Sequence, residues 1–118
     1  MHPVALVVLM APVPVLELAL KLLVGRPRPT GHGLGFPSGH AIASLTLVLL
    51  VGGSLWPLFP RGKKVAIALI AAAFLLTVAI GRVGQSLHWP SDIVGGWLVA
   101  LTYARWTLPF IDRSRRTT

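Results

Sequence analysis

Three groups of polar residues stand out from an otherwise apolar chain. Lys21 is followed seven residues later by Arg28-Pro29. Pro37-Ser38-Gly39-His40 lie together at the start of a long apolar run. Arg82 is followed by His88 after six residues and by Asp92 after four more. Lys21, Arg28 and Arg82 are donors without acceptors, and arginine's planar fork matches phosphate oxygens. Three cations beside one carboxylate describe a site for a multiply charged anion. Ser38 and Gly39 fall at a predicted helix N-terminus, where free backbone N–H groups and the helix dipole favour phosphate. Glycine there lets a ligand approach the backbone closely. His88 and Asp92 have the pairing in which a carboxylate fixes the imidazole tautomer and stabilises its cation. That makes His88 a nucleophile and leaves His40 as general acid. The cations supply the charge that magnesium would bring, so no metal is demanded.

Taken singly, each residue has a plainer explanation. Ser38 serves as an N-cap. Lys21 and Arg82 complement helix C-termini or snorkel to headgroups. Glu17 and Lys21, spaced i, i+4, neutralise each other. Arg26 is read as a headgroup contact rather than a phosphate ligand, and His2 and His32 as solvated. The conjunction carries the reading.

The elements that position these residues follow from composition. Of 118 residues, 54% are hydrophobic and 12% charged, with a mean hydropathy of +0.76. Soluble chains average about 25% charged residues. The net charge of +8 alone would suggest nucleic acid, but so apolar a chain has little from which to build a wettable basic face, and no nucleic-acid partner is expected. High hydrophobicity excludes a disordered tail, and without cysteine there is no disulfide framework or thiol chemistry. The length allows one domain, 1–118.

Residues 41–60 and 65–81 carry no charge, and 92–111 is interrupted near its end by Arg105. A helix needs about 20 mostly apolar residues to cross the hydrocarbon core. The first candidate span, 3–24, contains Pro12 and Pro14, which should kink or divide it, and it carries Glu17 and Lys21. It lacks the basic start and cleavage site of a secretory signal and is expected to be retained. The segment GRPRPTGHGLGFP, 25–37, is too rich in glycine and proline for helix. Pro90 holds Trp89 extended, and Ser91 or Asp92 is predicted to cap the last helix. The expected fold is all-α, a polytopic bundle of four membrane-spanning helices.

Four spans put the loops 25–37 and 83–91 on one side, and the 57–64 turn and both termini on the other. The second side holds seven basic residues (Arg61, Lys63, Lys64, Arg105, Arg113, Arg115, Arg116) and the first holds Lys21, Arg26, Arg28 and Arg82. The positive-inside rule makes the second side cytoplasmic and the site extracytoplasmic. Trp56, Phe59, Trp106 and Phe110 would form the cytoplasmic aromatic belt. Gly96, Ala100 and Ala104, spaced by four, predict a close helix contact, within the chain or in a homo-oligomer.

The pattern K-x6-RP, PSGH and R-x5-H-x3-D resembles that of the type 2 phosphatidic acid phosphatase superfamily, the lipid phosphate phosphatases. It is carried by Lys21, Arg28 and Pro29; by Pro37, Ser38, Gly39 and His40; and by Arg82, His88 and Asp92. The resemblance covers about residues 14–104. It implies a metal-independent phosphatase with no cofactor, acting on a lipid phosphate or diphosphate through a phosphohistidine on His88. Asp92 would hold the ring, Lys21, Arg28, Ser38, Gly39 and Arg82 the phosphate, and His40 would protonate the leaving oxygen. Two departures stand out. Gly81 replaces the serine that usually precedes the arginine, and the family's membrane members usually have six spans, of which this chain matches the last four. A non-catalytic lipid-phosphate-binding subunit is the alternative from another class. The related vanadium haloperoxidases are soluble, which the apolar runs oppose, and a basic membrane anchor explains none of the spacing.

Overall fold

A computed structural model describes residues 3–31, 33–85 and 88–116, with side chains to residue 109. His2, His32 and the side chains of Phe110, Arg113, Arg115 and Arg116 lie outside the described residues. The described chain is helical: α1 (Pro3–Met10), α2 (Val13–Val24), α3 (Gly39–Leu55), α4 (Lys64–Gly84) and α5 (Pro90–Arg116). Two single 3₁₀ turns, Trp56–Leu58 and Arg61–Lys63, connect α3 to α4.

The prolines divide the first segment as their missing N–H groups dictate. The Ala11 N–H still reaches the Val7 carbonyl at 2.9 Å, and the Leu16 N–H finds Pro12 at 2.9 Å, so helix resumes at once. The Tyr103 hydroxyl of α5 donates to the Leu9 carbonyl, one of the acceptors released by the break. α2 stops at Gly25, whose φ of 65° lets its N–H turn back to Lys21 O at 2.8 Å. Ser38 caps α3 as expected, accepting the Ala41 N–H at 3.2 Å.

The last helix begins differently from expectation. Neither Ser91 nor Asp92 is its N-cap: Pro90 is the first helical residue, a position where its missing N–H costs nothing. Asp92, two residues further in, reaches back to accept the Trp89 N–H at 2.8 Å, the returning half of a capping box.

α3 and α5 form the main interface. Ala41, Ile42 and Leu50 meet Ile93, Ala100 and Ala104 in a thin core. The small-residue stripe of α5 is therefore used inside the chain. A Cβ placed on Gly96 would lie 2.8 Å from both the Ala41 Cβ and the Ser38 carbonyl. Gly96→Ala is accordingly expected to cost about 1–3 kcal/mol by overpacking. A lowered thermal midpoint in detergent checks this, and an unchanged one refutes it.

None of the residues of α4 is buried, and Val65, Leu69, Ile70 and Ile80 project outward. Such a helix is at home in hydrocarbon and not in water. Among the described residues, three segments are long and apolar enough to cross a membrane: Pro3–Val24, Gly39–Leu58 and Arg61–Gly84. α5 has the length, 27 residues, but charges at both ends. The molecule's long axis of 49 Å is close to the roughly 40–45 Å of a bilayer with its headgroups. At one end of this axis α2 and α4 finish and α3 and α5 begin. At the other, Trp56 packs edge-on against Phe59, with the Lys64 ammonium 5.1 Å from the Trp56 ring centre.

Candidate active site

A cleft of about 290 Å³ opens where these four helix ends meet, lined by Glu17, Lys21, Arg28, Gly39, His40, Ala43, Arg82 and His88. Each lining group comes from a helix end or a loop fixed by one. Lys21 stands in the last turn of α2 and Arg82 in that of α4. Gly39 and His40 open α3. The 25–37 loop folds back through an isolated bridge between Pro27 and Leu34, which brings Arg28 over the cleft.

His88 is buried apart from the face it turns to the cleft. Its Nδ1 lies 2.9 Å from the Gly35 carbonyl and 3.5 Å from Asp92 Oδ2. The nearer partner, and so the stronger holder of the ring, is a backbone oxygen. With the Nδ1–H donating there, Nε2 is left with its lone pair. Gly35 is itself fixed by its N–H to Arg26 O at 2.8 Å. The backbone packs closely here: a Cβ on Gly35 would stand 3.0 Å from Asp92 Oδ2 and 3.2 Å from the Arg28 side chain.

Asp92 is fully buried behind the imidazole. Besides the Trp89 N–H, its carboxylate faces Arg26, whose guanidinium lies 3.4 Å from Oδ1. Arg26, read from sequence as a headgroup contact, thus turns inward and supplies the counter-charge that a buried carboxylate requires. The Asp92 carbonyl also accepts the Ser38 N–H at 3.0 Å, tying the starts of α3 and α5 together.

The structure gathers Lys21, Arg28, Gly39, His40, Arg82 and His88 on one cleft, with Asp92 in support. Ser38 does not line it. Its side chain is buried and engaged in capping α3, so its placement follows the plainer explanation. Arg28 and Arg82 each hold a buried Nε with no hydrogen-bond partner. Buried donors normally find acceptors, and these belong to two guanidinium groups lining one cleft, as anion recognition requires.

Three features escaped the sequence: the Gly35 carbonyl, the inward turn of Arg26, and the approach of Glu17 to Gly39, where the Glu17 carboxylate fills the space a Cβ would take. A backbone acceptor leaves no signal in residue type. Arg26 and Glu17 were visible as charges, but their direction depends on how the 25–37 loop and α2 pack.

Burial lowers the pKa of His88 below its ordinary value of 6.5, and the charges of Arg82 and Arg28 act the same way. The bond to Gly35 and the Asp92 charge oppose them. The sign is plain: the neutral ring persists as pH falls, until the pH passes this lowered value. An NMR titration of the His88 ring in detergent-solubilised protein is expected to give a midpoint under 6.5, and one above it would contradict the role of burial.

A family model for the PAP2 superfamily matches residues 30–116, a stretch that begins after Lys21 and Arg28. Phosphatidylglycerophosphatase B of Escherichia coli is 38% identical over 72 residues, which is 58% of this chain and 25% of that relative. An undecaprenyl-diphosphatase of Sulfolobus acidocaldarius is 36% identical over 73 residues, 62% of this chain and 31% of that relative. The matched stretch thus spans a quarter to a third of the curated relatives' length. No solved structure matches the chain closely.

Proposed function

The chain belongs to the PAP2 superfamily, and from that premise we propose that it hydrolyses the terminal phosphate of a membrane lipid phosphate or diphosphate without a metal ion. One observation carries the reading: the paired, unpartnered Nε groups of Arg28 and Arg82 at a cleft into which the held ring of His88 faces. His88 Nε2 attacks phosphorus in line and the ester or anhydride oxygen departs, leaving phosphohistidine; water then attacks that phosphorus and frees both phosphate and imidazole. Lys21, Arg28, Arg82 and the amide end of α3 at Gly39 hold the non-bridging oxygens and the charge that develops on them. Ser38 contributes by fixing that helix end. Asp92 and the Gly35 carbonyl hold the ring.

His40, at the exposed edge of the cleft, is the group placed to protonate the departing oxygen. His40→Ala should slow the first step most for poor leaving groups such as alkyl alcohols, and much less for a nitrophenyl ester. Phosphohistidine formation timed by rapid quench tests this, and an equal loss for both would remove His40 from the role.

The relatives are named for phosphatidylglycerophosphate and undecaprenyl diphosphate, which bracket monoester and anhydride substrates. The excess of basic residues on the side opposite the cleft favours an extracytoplasmic site, and such a site suits a carrier-lipid diphosphate left on that face after export. Phosphate release by purified protein in chelator, across phosphatidate, phosphatidylglycerol phosphate and a polyprenyl diphosphate, tests the reading. Release from none of them, or only after a divalent cation is added, overturns it.

A further inference from the structure

Among the side chains that line the cleft, Glu17 alone is acidic. An i, i+4 partner on the same helix accounts for its bond to Lys21, at 2.6 Å. It does not account for the second contact, which is made across to α3. A Cβ built on Gly39 would overlap the Glu17 carboxylate carbon and both oxygens. The carboxylate therefore lies directly against the glycine that opens α3, and its negative charge complements that helix end. Lys21 and the Gly39 end are two of the features assigned above to phosphate. Arg28 and Arg82 keep buried donors unpartnered. Half of the cradle is thus answered by an anion belonging to the protein itself.

A carboxylate presents two oxygens from one planar carbon and so imitates one edge of a phosphoryl group. It and a bound phosphate cannot occupy the same ground, because two like charges in contact repel strongly in a partly exposed site. The carboxylate has room to leave. Its side chain is a quarter exposed and turns about flexible bonds, while Lys21 beside it is 14% exposed.

Resting on the reading of this cleft as a phosphate site, we propose that Glu17 is an internal anion that occupies the phosphate cradle between turnovers and is displaced by each incoming phosphate group. It is a positioning residue for release: it lowers the affinity of a three-cation cage for any phosphate, and so keeps the product from being retained. The same chemistry serves a lipid-borne phosphate and free phosphate, because both need the ground the carboxylate holds.

Binding without turnover tests this. The full chain in detergent micelles is titrated by calorimetry with inorganic phosphate in one arm and a non-hydrolysable lipid phosphonate in the other. Glu17→Gln, which keeps the shape and removes the charge, is expected to tighten both about tenfold, and Glu17→Ala to act in the same direction. Unchanged or weaker binding in both variants, with the wild type binding phosphate, overturns the role of Glu17 and leaves the phosphate reading standing. Tightening in the lipid arm alone also overturns it, because the carboxylate would then act on the lipid body. Absence of phosphate binding by the wild type removes the reading and the proposal together. A second measurement needs no variant. Glu17 is the chain's sole glutamate, so carbon-13 glutamate labelling gives one side-chain carboxyl resonance. Saturating phosphate should shift it, and a resonance that stays in place contradicts displacement.

Discussion

Replacing His88 with alanine is expected to abolish phosphate release from a lipid phosphate, lowering kcat by at least ~10³-fold. The size of the effect follows from what the ring does that nothing near it can. Its Nδ1 is held at 2.9 Å by the Gly35 carbonyl, which sets Nε2 as the free lone pair. His40 is the other imidazole on the cleft, but it sits at the exposed edge and has no carboxylate or carbonyl bond fixing its tautomer among the described contacts. The cations would remain in the variant, so inorganic phosphate should still bind within a few-fold of wild type. Loss of turnover with binding kept identifies a nucleophile. Full activity in His88→Ala would sink the assignment, and equal loss of binding and turnover would make His88 a part of the architecture.

The motif spacing made the cleft legible because each motif falls at a helix end, and helix ends are what sequence marks best. Ser38 before a long apolar run, glycine after Val24 and proline opening the last helix are local signals, and the helices begin or stop within a few residues of them. Arg82 is the partial exception: α4 continues two residues past it, which puts the guanidinium in the last turn and not beyond it. The apolar runs likewise declared a membrane bundle, because a chain this small has no interior in which to hide them. Directions across the 25–37 loop were not legible. Arg26 and Arg28 are two residues apart, yet one turns to the buried Asp92 and the other lines the cleft. Gly35 packs close to both Asp92 and Arg28, a tertiary contact with no periodicity to announce it. Ser38 illustrates the reverse. Its position suited both capping and phosphate, and its buried oxygen accepts the capping bond.

Asp92→Asn should show the second-largest effect, a fall of about 10²–10³-fold in kcat. Phosphorylation of Nε2 while Nδ1 keeps its proton places a positive charge on the ring. The charge that answers it is the Asp92 carboxylate, 3.5 Å from Nδ1 and fully buried. At an effective dielectric of about 20, a unit charge pair at that separation is worth roughly 5 kcal/mol. The Gly35 carbonyl retains part of that in the variant as a dipole. Asparagine keeps the shape and can still accept the Trp89 N–H, so the start of α5 survives. It also leaves the Arg26 guanidinium, 3.4 Å away, without its counter-charge, and that residual positive charge should further disfavour a cationic ring. The deficit therefore falls on phosphoenzyme formation and should leave the affinity for inorganic phosphate within about threefold of wild type. Arg26→Gln combined with Asp92→Asn removes the stranded charge and should recover part of the loss, a coupling that a purely structural role would not produce. A double variant no better than Asp92→Asn, or a phosphate affinity that falls in step with kcat, would show that Asp92 holds the loop in place and not the charge on the ring.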